Sequence, residues 1–279
     1  MRTNISILGC GWLGTALGKR LLAKRYIVKG STTSNDQYNK LETTGIQPYY
    51  LNITADSMDI DYANFFNTDV LIISIPPKRV QNVEEIFPKQ IKQIVDYIER
   101  LKIPKVIFIS STSVYECKNK VVKEDETGNP EKPVGKALLE AERMLQGIQG
   151  TKTTILRIAG MIGAERNPAR FMAGKSEVVG NTPVNLVHRI DCVNIIVEII
   201  EKELWWEVFN VCATGHPSKR EFYTKAAVVG NLPYPNFVEK NENYKIVDNS
   251  KLLKKLDYKF EYPDPIDYLK ELEEWIYRI

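Results

Sequence analysis

Short β-branched runs alternate with longer amphipathic stretches along the first two thirds of the chain. Near-continuous apolar runs are typical of strands buried on both faces of a sheet. Such runs lie at 5–8, 26–30, 48–51, 70–75, 106–110, 154–158 and 208–211. Apolar residues recur three and four positions apart, as in a helix, at 12–24, 82–101, 134–147 and 191–202. The alternation predicts an α/β fold with a doubly wound parallel sheet.

The alternation weakens after residue 157, where Gly, Pro and Asn cluster between 160 and 185. A smaller C-terminal lobe on the substrate side is therefore predicted. It is not a continuous segment, because 191–211 has the pattern of one more helix and strand of the sheet. The two predicted domains comprise 1–160 with 187–213, and 161–186 with 214–279.

Charge and composition exclude several classes of protein. The net charge is +3, and the longest Lys/Arg-rich patch, 251–255, is short, so nucleic acid is not an expected partner. A hydrophobic content of 43% argues against a disordered chain. The four cysteines stand far apart and only two histidines are present, so no metal site is expected.

The same features suggest where the protein works. Glycines interrupt the apolar stretch 5–17, which argues against a signal peptide, and no other segment reaches the ~18 apolar residues of a membrane span. Unpaired cysteines indicate a reducing compartment. We therefore expect a cytoplasmic protein without a membrane partner, and a homodimer remains open.

A glycine-rich motif, G-C-G-W-L-G at 9–14, follows the first predicted strand and begins the first predicted helix. This context is the one in which G-x-G-x-x-G binds a dinucleotide. The first glycine permits a tight turn, the second lets a pyrophosphate approach the backbone, and the third allows close packing of helix on strand. The residues predicted to contact the dinucleotide here are Gly9, Gly11, Trp12, Leu13 and Gly14. A glycine hinge of purely structural use is the alternative.

The end of the second strand bears on which dinucleotide is bound. An acidic residue there would hold the ribose hydroxyls of NAD. The segment 29–34 reads K-G-S-T-T-S, and no carboxylate occurs before Asp36. Lys29 and the hydroxyls of Ser31, Thr32 and Thr33 could accept a 2′-phosphate, which favours NADP over NAD. The alternative is that these hydroxyls cap the next helix.

Four further segments, in order along the chain, resemble one family. V-I-F-I-S-S-T-S-V-Y at 106–115 is followed by an acidic connection at 124–130, by L-R and A-G-M-I-G within 156–163, and by V-H-R-I-D at 187–191. Together they resemble the extended short-chain dehydrogenase/reductase family, the nucleotide-sugar epimerases and dehydratases. The resemblance implies a Rossmann fold and an NAD(P) cofactor. It also places Ile75, Pro76 and Pro77 beside the adenosine and ribose, and Asn52 is predicted to face the adenine.

The chemistry of this family uses a Ser, a Tyr and a Lys to move the proton of a substrate hydroxyl. Ser111 matches the serine. The segment 133–142 overlays the helix that carries the other two, and it places Val134 at the tyrosine and Leu138 at the lysine. Neither side chain can move a proton. Tyr115 is the candidate for a displaced acid, and a packing role is its alternative.

Two classes of function therefore remain open at this point. The first is an oxidoreductase or epimerase with a non-standard active site, acting on a small polar substrate such as a nucleotide sugar. The second is a non-catalytic NADP(H)-binding sensor or scaffold of the same fold, which needs only the phosphate loop and a surface that responds to occupancy.

Overall fold

Strands and helices alternate along the chain as the hydrophobic pattern predicts. The computed structural model describes residues 2–55, 62–78, 80–126 and 128–277, and for 274–277 it describes the backbone only. The strands are β1 (Asn4–Leu8), β2 (Ile27–Thr32), β3 (Gln47–Tyr50), β4 (Val70–Ile73), β5 (Lys105–Ser111), β6 (Lys120–Val122), β7 (Lys152–Ile158), β8 (Gly160–Ile162), β9 (Val178–Val179), β10 (Leu186–His188), β11 (Val208–Val211), β12 (Phe237–Val238) and β13 (Lys245–Val247). The helices are α1 (Trp12–Ala23), α2 (Asn35–Thr43), α3 (Ala63–Phe66), α4 (Val83–Leu101), α5 (Pro133–Gln146), α6 (Arg189–Glu201), α7 (Lys219–Gly230), α8 (Ser250–Leu256) and α9 (Pro265–Tyr277).

The seven predicted strands form one parallel sheet in the order β3-β2-β1-β4-β5-β7-β11. The predicted doubly wound fold is confirmed, and so are the four predicted helices, which correspond to α1, α4, α5 and α6. The direction of winding reverses between β1 and β4. In sheets of this kind, ligands bind outside the carboxyl ends of the strands at that switch point.

The sheet forms because its central strands are apolar on both faces. Ile7, Ile72 and Phe108, from β1, β4 and β5, have no exposed surface. Helix α4 has a wide apolar stripe, and it packs against α5 on one side of these strands. Burial on both faces leaves the loops at the strand ends as the places where polar groups can meet a ligand.

The chain divides into two compact units. The first comprises 1–114, 128–157 and 195–209, and the second comprises 115–127, 158–194 and 210–279. These ranges differ from the predicted domains chiefly because 115–127 and the first turns of α6 group with the second unit. The strand pair β6–β13 accounts for the first difference, since it joins 120–122 to 245–247. The second unit also contains the parallel pairs β8–β10 and β9–β12, which the hydrophobic pattern did not predict.

Gly135 determines how closely α5 can approach the end of β5. A Cβ built on Gly135 would collide with the carbonyl oxygen of Ser113 and lie 2.7 Å from Cβ of Pro130. We expect Gly135→Ala to lower the free energy of unfolding by about 2 kcal/mol, because overpacking against backbone outweighs the roughly 1 kcal/mol by which alanine favours a helix. Urea unfolding measures this change. Gly147→Ala, at the other end of the same helix, is the control and should change stability by less than about 1 kcal/mol; equal effects of the two substitutions would contradict the prediction.

Candidate dinucleotide site

The turn after β1 has the backbone conformation that the first glycine of the motif is expected to provide. Gly9 has φ of +88°, which disfavours any residue with a side chain. A Cβ there would also lie 2.8 Å from Cγ2 of Ile75 and 2.9 Å from the carbonyl oxygen of Ser74. The structure therefore brings the loop after β4, which contains the predicted residues Ile75, Pro76 and Pro77, against the phosphate loop.

The second glycine leaves open space at the start of α1. Gly11 is exposed, and apart from its two chain neighbours no described residue has an atom within 4 Å of the position that a Cβ would take. It is the N-cap of α1, with no side-chain cap and no acidic residue in the first turn. The amide groups of a first helical turn and the helix dipole both favour an anion. This opening therefore fits the pyrophosphate of a dinucleotide.

The remaining residues of the motif support this opening. A Cβ on Gly14 would lie 2.9 Å from the carbonyl oxygen of Gly9, so only glycine permits the observed approach of helix to turn. Leu13 is buried and Trp12 is half-buried. The side chain of Leu13 packs inward, so what it can offer a ligand is its backbone.

Ser31 and Lys29 are not available in the way that the sequence suggested. Ser31 is only 2% exposed, and its Oγ accepts a hydrogen bond from the amide of Gly9 at 2.9 Å. Lys29 donates to the carbonyl oxygens of Asn64 at 2.6 Å and Asn67 at 2.8 Å, and burial lowers its pKa. The hydroxyl of Ser31 thus stabilises the turn after β1 from the buried side, and the ammonium group of Lys29 is bound to carbonyl oxygens in and just after α3. The expectation that both would face a 2′-phosphate is corrected accordingly.

The hydroxyls that follow β2 are partly engaged in starting α2. Oγ of Ser34 accepts from the amide of Gln37 at 3.4 Å and caps the helix, and Oγ1 of Thr32 accepts from the amide of Ser34 at 3.1 Å. The capping alternative therefore applies to Ser34. Thr33 is exposed, and so is Asn52 after β3. Of the three hydroxyls predicted to meet the dinucleotide here, those of Thr32 and Thr33 remain at least partly exposed, whereas that of Ser31 is buried.

Ser111 is the last residue of β5, at the same edge of the sheet. Its Oγ accepts a hydrogen bond from the amide of Ser113 at 3.2 Å, which leaves its own proton available for donation. Ser113 Oγ is buried and has no hydrogen-bond partner among the described residues. The strand end therefore presents a hydroxyl that could hold a substrate oxygen.

The first two turns of α5 carry no group that can transfer a proton at the two matched positions. Val134 is half-buried, and Leu138 is only 3% exposed. One turn further on, the carboxylate of Glu142 accepts from Oγ of Ser110 at 2.5 Å and from Arg157 at 2.8 Å, and all three residues are buried. This charged group is satisfied internally and holds α5 to β5 and β7. Glu142 is the last residue of the segment 133–142, and nothing in the sequence indicates this role.

Tyr115 lies in the core of the second unit. It is 3% exposed, and its hydroxyl donates to Oδ1 of Asn210 at 2.7 Å. Asn210 in turn donates from Nδ2 to the carbonyl oxygen of Asp248, and its amide donates to Glu124. This geometry corresponds to the packing alternative, because the hydroxyl is used within the unit rather than presented to a ligand. It does not support the hypothesis of a displaced acid.

Neither a metal-binding cluster nor a membrane-spanning helix is present in the described ranges. No group of three or more His, Cys, Asp or Glu side chains there could hold a metal ion. None of the helices in that part of the chain is both long enough and apolar enough to cross a bilayer.

The phosphate loop also contains a cysteine, Cys10. Burial raises the pKa of Cys10 to about 12, so its thiol stays protonated.

Comparison with known proteins agrees with this geometry. The chain is 35% identical to protein YeeZ of Escherichia coli strain K12 over 269 residues, which are 94% of this chain and 97% of that protein. Among solved structures, it resembles the UDP-glucuronic acid 4-epimerase of Bacillus cereus in complex with UDP-glucuronic acid and NAD (TM-score 0.80, 20% identity, 99% of each chain). It also resembles the ADP-L-glycero-D-manno-heptose-6-epimerase of Helicobacter pylori (TM-score 0.80, 16% identity, 100% of this chain and 97% of that one). At these identities the two structures establish the fold alone.

A family model extends the agreement over most of the chain. The model of the NAD dependent epimerase/dehydratase family matches residues 5–212, which include the phosphate loop, Ser111 and the whole of α5. The cofactor is accordingly a nicotinamide dinucleotide. With three quarters of its length matched in this way, the chain belongs to the NAD dependent epimerase/dehydratase family.

Proposed function

We propose that this protein binds NADP(H), in preference to NAD(H), at the loop 9–14. The observation that carries the proposal is the opening beside Gly11, at a helix start without acidic residues. The preference for NADP(H) is supported by the end of β2 and the residues just after it, where Thr32 and Thr33 lie and no carboxylate precedes Asp36. A carboxylate at that place would repel a 2′-phosphate, whereas hydroxyls can donate to it.

The reaction we propose is an oxidoreduction or epimerisation at a hydroxyl or carbonyl group of a small polar substrate. A bound nicotinamide supplies a hydride acceptor or donor. Ser111 would hold the reacting oxygen of the substrate through the proton of its hydroxyl, whose oxygen accepts a hydrogen bond from the amide of Ser113. A nucleotide sugar is the candidate substrate, since the epimerase of Bacillus cereus binds one. The active site is non-standard, because the two matched positions of α5 hold Val134 and Leu138.

A second candidate function is a non-catalytic sensor or scaffold that responds to NADP(H). The burial of Leu138 favours it, because the position that should carry a lysine is part of the apolar core. The engagement of the Tyr115 hydroxyl with Asn210 favours it as well, because it leaves no replacement acid there.

Titration calorimetry tests the proposal with NADP(H) and NAD(H) on the wild type and on Thr33→Asp. We expect the wild type to bind NADP(H) more tightly, and the added carboxylate to weaken NADP(H) binding about tenfold through repulsion of the 2′-phosphate. Asn39→Asp, which adds the same charge at an exposed position of α2, should leave both affinities unchanged.

The outcomes separate the parts of the proposal. Absence of heat with all dinucleotides would refute dinucleotide binding, and tighter binding of NAD(H) would refute the preference. Cofactor oxidation and reduction across a panel of sugar nucleotides then distinguishes the two candidate functions: turnover supports the enzyme, and tight binding without turnover supports the sensor.

A further inference from the structure

The side-chain amide of Gln37 joins α2 to the phosphate loop. Its Nε2 donates to the carbonyl oxygen of Cys10 at 3.0 Å and to Oγ1 of Thr15 at 2.8 Å. Oγ1 of Thr15 donates in turn to the same carbonyl oxygen at 3.2 Å. Both protons of one amide are therefore used on the turn that begins α1. Helix α2 is otherwise polar, and Leu41 is its one buried residue.

These bonds fix the peptide group that immediately precedes the open surface at Gly11. The carbonyl of Cys10 is held by Gln37 and Thr15, and the amide of Gly11 on the same peptide donates to the carbonyl oxygen of Gly9 at 2.9 Å. The preceding amide, that of Cys10, donates to the carbonyl oxygen of Ser31 at 2.7 Å. Rotation of this peptide would redirect the start of α1. Its orientation thus depends on side chains of α1 and α2 as well as on the contact within the loop.

We propose that Gln37 is a positioning residue for dinucleotide binding: it holds the Cys10–Gly11 peptide so that the first-turn amides of α1 face the pyrophosphate. The inference rests on the proposed dinucleotide site. An amide suits this role because it offers two donors and no charge. A carboxylate of the same shape would offer no donor to the carbonyl of Cys10, and it would add negative charge next to the pyrophosphate.

A merely structural role for Gln37 makes a different prediction. If its amide only attached α2 to the start of α1, its loss would lower the melting temperature but would not change the affinity of protein that is still folded. A positioning role changes the affinity at temperatures far below melting. The dissociation constant and the melting temperature of the ligand-free protein therefore have to be measured together.

The experiment compares Gln37→Glu with Asn39→Asp, because both replace an amide of α2 by its carboxylate and only the first contacts the loop. We expect Gln37→Glu to raise the dissociation constant of NADPH at least about tenfold by calorimetry, since two hydrogen bonds are lost and a charge is added. We expect Asn39→Asp to change it less than about twofold, because exposed charges are screened. Equal dissociation constants for the two variants would overturn the inference.

Two neutral variants keep the test valid if Gln37→Glu does not fold. Gln37→Met and Thr15→Val each remove one arm of the contact without adding charge, and each should weaken NADPH binding. Because Nε2 of Gln37 also donates to Oγ1 of Thr15, the loss of either side chain already disturbs the other arm, and the double variant should lose less than the product of the two single effects. Independent, multiplicative effects would overturn the inference, as would unchanged affinity in Gln37→Met. If the wild type binds NADPH and these variants bind it equally well, the inference fails and the proposed function stands; if the wild type binds no dinucleotide, both fail.

Discussion

Substitution of Gly11 by aspartate is expected to abolish dinucleotide binding and to leave the fold intact. The structure offers open space for the new side chain, since apart from the two chain neighbours no atom of the described ranges lies within 4 Å of its Cβ position. Aspartate is also a favourable N-cap, so α1 should be as stable as before or more stable. Its carboxylate would take the place of the pyrophosphate at the first-turn amides and repel it. We expect the affinity for NADP(H) to fall at least about 100-fold.

Calorimetry and thermal melting together check this expectation. The dissociation constant should rise while the melting temperature stays equal or increases, a combination that general unfolding does not produce. Gly11→Ala is the matched control, because it adds a Cβ without a charge, and its loss of affinity should be much smaller. If Gly11→Asp bound NADP(H) as the wild type does, this helix start would not be the pyrophosphate site.

Restoration of a proton-transfer pair on α5 is the second substitution with a large expected effect. Val134→Tyr combined with Leu138→Lys places a phenol and an ammonium group four residues apart on one side of the helix. General acid–base catalysis contributes typically ~10²–10⁴-fold, so cofactor oxidation or reduction with sugar nucleotides should rise measurably above the wild type. If the protein is the non-catalytic sensor or scaffold, the wild type should be near background on the same panel.

The burial of Leu138 determines how this experiment has to be controlled. A lysine at a position that is 3% exposed loses solvation, so the double variant should be less stable than the wild type. Val134→Phe with Leu138→Lys carries the same destabilising change and lacks only the phenolic hydroxyl. A rate increase in the tyrosine variant and not in its phenylalanine control would show that the hydroxyl transfers the proton. High turnover by the wild type would instead show that another group does so.

The parts of the fold that were predicted from the sequence are those whose burial leaves a pattern. Strands β1, β4 and β5 are apolar on both faces and therefore appear as continuous runs. The glycine motif is also recognisable, because Gly9 predicts the tight turn and Gly11 predicts the open backbone. Helix α2 leaves no such pattern, because its sequence N-D-Q-Y-N-K-L-E-T buries only Leu41. Gln37 was missed for the same reason: a polar residue in a polar helix gives no sign that its amide meets a loop.

Side-chain direction was the main source of error at the candidate site. Ser31 and Lys29 have the right chemistry and the right position in the sequence for a 2′-phosphate, yet one side chain lies under the turn and the other reaches the α3 segment. Alternation along a strand separates the two faces, but it does not show which local acceptor will capture a hydroxyl or an ammonium group. Tyr115 illustrates the same limit, since its hydroxyl finds a partner nearly a hundred positions away, in Asn210.

The buried contact of Glu142 with Ser110 and Arg157 has a consequence for how new activities could arise on this scaffold. Together with the close approach at Gly135, this contact prevents α5 from sliding along its axis and from rotating around it. Whatever side chains stand at 134 and 138 are therefore presented in the same direction. Directed evolution could therefore vary the side chains at these two positions alone, because the position of the helix that carries them does not have to change.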